Sequence, residues 1–169
     1  MHIVLVHPEI APNTGAIIRL CANTGSDLHL VEPLGFELDD TQLKRGGLDY
    51  HEYATMHVHA TLGDVIAALP GRRFGFSSRG ATRYSDIAFD PDDALVFGAE
   101  RDGLGAEATA WISPEHMLAI PMRAGRSLNV ANAASIVVYE AWRQQGFTGA
   151  ATDGGSPTAE RLHLGPFDT

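Results

Sequence analysis

The sequence predicts a single α/β domain in which helices cover both faces of a parallel sheet. Short strands that are apolar throughout alternate with helical segments, which is the pattern of a parallel sheet buried on both sides. The 169 residues, 44% of them hydrophobic, are enough to form one full core. After residue 149 the chain becomes rich in Gly, Ala, Ser and Thr and has little to bury. We therefore expect one domain over residues 1–149 and a flexible tail over residues 150–169.

The first half of the chain supplies two strands and two helices. We predict strands over residues 2–7 and 28–31 and helices over residues 13–24 and 61–69. Asn13 is the expected N-cap of the first helix, and Gly25 is its expected C-cap. The second helix should end before Pro70, because proline cannot continue the hydrogen-bond ladder.

The second half continues the alternation and ends in a long helix. We predict strands over residues 73–77, 94–98 and 117–120 and helices over residues 105–112 and 128–145. Ser127 is the expected N-cap of the last helix. Ligands of parallel α/β sheets bind beyond the carboxyl ends of the strands, so the stretches that follow strands are the candidate sites.

The charge pattern neither requires nor excludes a nucleic-acid partner. The formal net charge of −9 is unusual for a general nucleic-acid binder. However, the acids are concentrated between residues 86 and 115, and eleven of the twelve basic residues are arginine, which suits phosphate contacts. The single cysteine, Cys21, excludes an internal disulfide and favours the cytoplasm. No apolar run approaches the roughly 20 residues that span a bilayer, so no membrane partner is expected.

Asn13 and Arg19 bracket the first two turns of the predicted first helix. At 3.6 residues per turn they are not stacked on one face, but both could reach a ligand that lies against the helix N-terminus. The alternative interpretation is a helix cap followed by a solvated arginine.

A glycine-rich turn follows the predicted strand 94–98. It lacks the Lys and Ser or Thr of a phosphate-binding P-loop, and Glu100 and Asp102 would repel phosphate. Backbone groups here suit a neutral heterocycle or a ribose better. The first strand likewise lacks the G-x-G-x-x-G turn of a dinucleotide-binding fold.

Asn129 and Asn132 fall in the first turns of the predicted last helix, directly after the strand 117–120. Asparagine is a poor interior helix former, so a well-capped buried helix is an incomplete explanation of this stretch.

The eight histidines do not predict a metal site. His57 and His59 could share one strand face, but no cysteine or carboxylate cluster accompanies them. Cys21 is in phase with the apolar face of the first helix and is expected in the core.

These stretches together resemble the SPOUT superfamily of trefoil-knotted RNA methyltransferases. Within it, the chain is similar to the small single-domain enzymes that methylate the ribose of the wobble nucleotide of tRNA. The similarity covers residues 2–149, and each motif follows its strand in the same order. It extends to the segments between the motifs, at residues 8–10, 20–25, 48–52 and 139–143.

The resemblance implies a C-terminal deep trefoil knot whose three loops bind S-adenosylmethionine without a metal. The cofactor residues that it implies are Phe76, Ser77, Gly98, Glu100, Gly103, Ile120, Met122, Ser127 and Leu128. Arg19 would be catalytic, either as general base or as the group that stabilises the 2′-oxyanion, and Asn13 would place it. The substrate residues that it implies are Arg126, Asn129, Asn132 and Tyr139.

The activity implied is methyl transfer to the ribose 2′-hydroxyl of a wobble cytidine or modified uridine, with tRNA leucine isoacceptors as the expected substrates. The same resemblance implies a cytoplasmic homodimer. Two alternatives stay open: a 2′-O-methyltransferase that acts on another tRNA or ribosomal RNA position, and a non-catalytic knotted RNA-binding module.

Overall fold

The computed structural model of the chain describes residues 1–38 and 55–151. The motif at residues 48–52 and the predicted tail from residue 152 onward lie outside the described residues.

The described residues form one sheet in which all paired strands are parallel. Its strands are β1 His2–Val6, β2 Asp27–Val31, β3 Met56–His59, β4 Arg73–Phe76, β5 Thr82–Arg83, β6 Ala94–Phe97 and β7 Met117–Ala119. The order across the sheet is β3-β2-β1-β6-β4-β7-β5. The predicted parallel α/β sheet is therefore confirmed, with β3 and β5 as edge strands that the sequence analysis did not predict.

Helices cover both faces of this sheet, as predicted. The helices are α1 Ala11–Thr24, α2 Leu62–Ala68, α3 Gly105–Ala110 and α4 Val130–Gln144. Successive strand residues point to opposite faces, so each strand contributes to two cores. Ile3 packs in one core with Ile17 of α1 and Val137 of α4, whereas Val4 packs in the other with residues of α2 and α3. None of the described helices is long and apolar enough to cross a membrane.

Two predicted helix caps are wrong. Helix α1 begins at Ala11, with Ile10 as the N-cap and Pro12 in the first turn, so Asn13 is already inside the helix. Helix α4 begins at Val130, and its N-cap is Asn129 rather than Ser127. The Asn129 side chain accepts hydrogen bonds from the backbone N–H groups of Ala131 and Asn132. The Gly25 C-cap is confirmed: its φ is 68° and its N–H donates to the carbonyl of Cys21.

The connection between β4 and β5 crosses β7 at close range. Strand β7 lies between these two strands, and the Ser77 N–H donates to the Leu118 carbonyl at 2.9 Å. A Cβ at Gly80 would lie 2.3 Å from the Leu118 carbonyl carbon, so only glycine allows the crossing.

Candidate active site

A cleft of about 1020 Å³ lies beyond the carboxyl ends of β4, β6 and β7. The start of α1 and the first turns of α3 and α4 close it. Every predicted cofactor residue lines this cleft, as do Asn13, Arg126 and Asn129. The structure thus brings together three sequence stretches that are far apart along the chain, at the edge of the sheet where ligands of such folds bind.

The loop after β6 folds back tightly on itself. The Gly103 N–H donates to the Ala99 carbonyl at 2.9 Å, and a Cβ at Gly98 would lie 2.0 Å from the Gly103 carbonyl carbon. Gly103 and Gly105 have φ values of 69° and 68°, which side chains rarely allow. Backbone groups therefore contribute to this wall of the cleft.

Apolar side chains contribute another part of the cleft lining. The rings of Phe76 and Phe97 stack at 4.7 Å with an interplanar angle of 13°. Ile120 and Met122 follow β7 on the neighbouring wall, and Leu128 stays 38% exposed. An apolar surface beside free backbone groups suits a planar heterocycle, which needs both stacking and edge hydrogen bonds.

A chain of hydrogen bonds joins the three segments around the cleft. The Asn13 Nδ2 donates to Oε1 of Glu100 at 2.9 Å, and the Asn129 Nδ2 donates to Oδ1 of Asn13 at 2.9 Å. Glu100 lies in the loop after β6, and Asn129 caps α4. The side chain that was predicted to cap α1 therefore connects α1 to both other segments.

The charged groups of the cleft are mixed in sign. Arg79, Arg101 and Arg126 line it together with Glu100 and Asp102. Arg79 and Arg126 are exposed, so both are available to a phosphate of a bound nucleic acid. Sequence reasoning missed Arg79, although its position three residues after β4 is the kind of place where ligand-binding residues occur.

Three of the predicted site residues lie elsewhere. Among the described residues, Arg19, Asn132 and Tyr139 are outside the lining of the cleft. All three are exposed on α1 or α4, and 45% of Tyr139 is accessible. They can therefore meet a partner that approaches these helices, but they do not enclose a small molecule in the cleft.

Among residues 1–38 and 55–151, neither the histidines nor Cys21 lines this cleft. Within the parts of the chain that the structure describes, no group of three or more His, Cys, Asp or Glu side chains could hold a metal ion. His2, His29 and His59 form a hydrogen-bonded row on the first three strands, away from the cleft lining. Cys21 is fully buried in the core, and burial raises the pKa of its thiol to about 12.

Comparison with known proteins gives a consistent match. The model of the SpoU rRNA Methylase family matches residues 1–139. A tRNA (cytidine(34)-2'-O)-methyltransferase from Burkholderia pseudomallei is 54% identical over 154 residues, which cover 89% of this chain and 99% of the relative. Another, from Methylovorus glucosotrophus, is 57% identical over 150 residues, covering 88% of this chain and 97% of that relative.

Solved structures agree with the sequence match. One that concerns the 2-OH methylation of C/U34 on tRNA superimposes with a TM-score of 0.81 and 41% identity, covering 86% of this chain and 96% of that one. The SpoU methyltransferase AviRb from Streptomyces viridochromogenes, in complex with AdoMet, superimposes with a TM-score of 0.77 and 25% identity. That match covers 87% of this chain but only 61% of the AviRb chain.

Proposed function

The chain belongs to the SpoU rRNA methylase family, and we propose that it transfers the methyl group of S-adenosylmethionine to the ribose 2′-hydroxyl of nucleotide 34 in tRNA. The observation that carries this proposal is the cleft, which gathers three loops and the start of α1 at the carboxyl edge of the sheet. Relatives that match over nearly their whole length support the choice of nucleotide.

The residues of the cleft fit S-adenosylmethionine. The cofactor has no phosphate, and the tight packing of Gly98 against Gly103, which leaves no room for a Cβ, lets the loop present backbone groups to the cleft. Backbone groups of Phe76, Gly98, Ile120 and Leu128 would hold adenine and ribose, with Ser77, Gly103, Met122 and Ser127 alongside. When bound, the cofactor supplies a methyl group on a positively charged sulfonium, which requires no metal for activation. The nearby Asp102 is electrostatically compatible with that charge.

Arg19 would act on the acceptor ribose. A guanidinium is almost always protonated, so its favourable role is to stabilise the negative charge that develops on the 2′-oxygen as its proton leaves. Because Arg19 is exposed on α1 and outside the cleft lining, it would meet the ribose of a bound RNA rather than the cofactor. Asn13, held between Glu100 and Asn129, fixes the start of the helix that carries Arg19.

The crossing at Gly80 supports a deep trefoil knot. The connection of residues 77–81 crosses β7 at close range, and α4, further along the chain, packs against α1. Such a crossing is what a knotted chain requires, and knots are rare exceptions among protein folds.

We further propose that the protein is a cytoplasmic homodimer formed through α1 and α4. Helix α4, which packs against α1, exposes Ile136 and Tyr139, which are 38% and 45% accessible, and a second copy would cover them. Sedimentation at assay concentration should give a dimer, and a fully active monomer would contradict this part of the proposal.

For the substrate we propose leucine isoacceptors of tRNA with a pyrimidine at position 34, bound in part through Arg79 and Arg126. Phosphate contacts of this kind position RNA without reading its sequence. Neutralising either arginine should therefore weaken binding to all accepted tRNAs alike.

The decisive experiment compares two versions of one tRNA. Purified protein with labelled S-adenosylmethionine should methylate a leucine tRNA transcript and leave unchanged a matched transcript with 2′-deoxyribose at position 34. Methylation of both would place the reaction at another nucleotide, and methylation of ribosomal RNA alone would favour the ribosomal alternative. Cofactor binding without any methyl transfer would favour a non-catalytic module.

A further inference from the structure

We propose that Glu100 is a positioning residue that couples cofactor occupancy of the loop after β6 to helix α1. In this role its carboxylate holds the start of α1, and through it Arg19, instead of contacting the cofactor. The proposal rests on the proposed function, because it takes the loop of residues 98–105 as part of the cofactor site.

Both carboxylate oxygens of Glu100 are bound to the start of α1. Oε2 accepts from the Glu9 N–H at 2.8 Å, and Oε1 accepts from the Ile10 N–H at 3.3 Å and from the Asn13 Nδ2 at 2.9 Å. Glu100 is 87 residues beyond Asn13, so the loop after β6 supplies the cap that the local sequence lacks.

The start of α1 needs such a group. Its N-cap, Ile10, has no side chain that can accept a hydrogen bond, and no acidic residue lies in the first turn. The first N–H groups of a helix are unpaired and carry a partial positive charge, which a carboxylate satisfies well. Glu100 brings a carboxylate from a distant segment to this end of α1, where it accepts from the N–H of the N-cap Ile10 and from that of Glu9 just before it.

Glu9 makes the connection reciprocal. Its Oε2 accepts from the Arg101 N–H at 3.1 Å, while its own N–H donates to Glu100. Each glutamate thus binds the backbone of the segment that carries the other. Two opposed contacts of this kind fix both the distance and the orientation of the loop relative to α1.

The same connection reaches α4. Asn129 donates to Asn13 and accepts from the first N–H groups of α4, so the loop, α1 and α4 form one hydrogen-bonded chain around the cleft. A cofactor that orders the loop would therefore also order the start of α1. This coupling would prepare Arg19 only when a methyl donor is present.

The first test replaces Glu100 by glutamine. Glu100→Gln keeps the size of the side chain but removes the charge and one of the two acceptors. We expect the single-turnover rate of tRNA methylation to fall by about 10- to 100-fold, the effect of losing a hydrogen bond to a charged group. The Kd for S-adenosylmethionine, measured by calorimetry, should stay within about threefold of the wild-type value, because Glu100 does not contact the cofactor in this proposal. Glu107→Gln, an exposed change on α3, is the control and should alter neither value.

The second test exchanges the amide and the carboxylate. In the double variant Glu100→Gln with Asn13→Asp, the introduced glutamine can donate its amide N–H to the introduced aspartate, and its oxygen can still accept from the Glu9 N–H. The aspartate keeps an oxygen that accepts from the Asn129 amide. The negative charge also stays at the start of α1. The double variant should recover most of the rate that each single variant loses, which a merely structural loss would not allow.

The third test does not depend on methyl transfer. Hydrogen exchange of the Glu9 and Ile10 amides in the wild-type protein should slow on addition of S-adenosylmethionine, by up to about 100-fold at a concentration about 100 times Kd. Amides of α2 are the internal control and should not change.

Each outcome decides for or against the coupling. The coupling is supported if Glu100→Gln lowers the rate at constant Kd, the double variant recovers the rate, and the cofactor slows hydrogen exchange of the Glu9 and Ile10 amides. If cofactor binding weakens in proportion to the rate, Glu100 is a cofactor ligand. If the double variant does not recover the rate, or if hydrogen exchange of the Glu9 and Ile10 amides does not slow, the coupling is overturned. Wild-type protein that does not bind the cofactor, or binds it without methylating tRNA, would refute the proposed function instead.

Discussion

Acid should weaken the fold through His29, which lies at the centre of a row of histidines on the first three strands. Nδ1 of His2 is 3.2 Å from Nε2 of His29, and Nδ1 of His29 is 3.0 Å from Nε2 of His59. The ring of His57 stacks on that of His29 with centroids 4.9 Å apart. Only 4% of His29 is exposed, so a proton on its ring would be poorly solvated.

The size and sign of the effect follow from the pKa of His29. Burial, and then repulsion from the neighbouring histidines, lowers this pKa from 6.5 to about 4, against a smaller opposing effect of Asp27. The unfolded chain then binds a proton that the folded chain does not, so this stability is complete above pH 6.5 and is lost as the pH falls toward 4. Between pH 7.5 and pH 5 the free energy of unfolding should fall by about 2 kcal/mol. The pKa values of His2 and His59 are lowered in the same direction, also mainly by burial.

Urea denaturation followed by circular dichroism measures this loss at the two pH values. His29→Gln keeps a donor and an acceptor but cannot take up a proton, so it should remove about 2 kcal/mol of the pH dependence. His57→Gln is the matched control, because this ring stacks on His29 but is exposed. It should leave most of the pH dependence in place.

Glu140 does not produce a similar loss of stability between pH 7.5 and pH 5. Hydrogen bonds from Arg143 and then Gln144 lower the pKa of Glu140 to about 2. Its contribution to stability is complete above its ordinary pKa of 4.5 and is lost only as the pH falls toward 2. If His29→Gln and the wild-type protein lose the same free energy between pH 7.5 and pH 5, the assignment to His29 is wrong.

Three further predictions concern the cleft, the acceptor and the tail. Arg19→Ala should lower the single-turnover rate by about 10²- to 10³-fold with little change in the Kd of the cofactor, and Arg19→Lys should recover little of that rate. A parallel loss of cofactor binding in Arg19→Ala would refute the catalytic assignment. Gly98→Val should abolish cofactor binding first, since its Cβ would lie 2.0 Å from the Gly103 carbonyl carbon; calorimetry that shows normal binding would contradict this. Deletion of residues 150–169 should change Tm and activity little, because the segment has little apolar surface to bury, and a large drop in Tm would show that it packs on the domain.

Much of the fold could be predicted because its signals are local. The apolar runs at β1 and β6 are buried on both faces, and strands of this kind appear in the sequence as continuous hydrophobic segments. Gly25 ends α1 through its own backbone conformation, which needs no distant partner. The glycine-rich turn after β6 showed that backbone groups, and not phosphate-binding side chains, would form the site.

Strand β3, Met56–His59, was not among the predicted strands because it has only four residues, is not fully buried and lies at the edge of the sheet. Strand β5 has only two residues and exists through its pairing with β7. Short edge strands depend on their neighbours for hydrogen bonds, and the sequence does not state which neighbours those are.

The caps show most clearly what the sequence determined by itself and what only the tertiary structure decided. Asn13 has the residue type and position of an N-cap, so local reasoning assigned it that role. In the folded chain a carboxylate 87 residues away, on Glu100, binds the start of α1 and draws the Asn13 amide toward it. A charged acceptor binds more strongly than the neutral side chain it replaces. The sequence determined that polar groups would gather at this edge of the sheet, whereas contacts between distant segments decided which atoms pair.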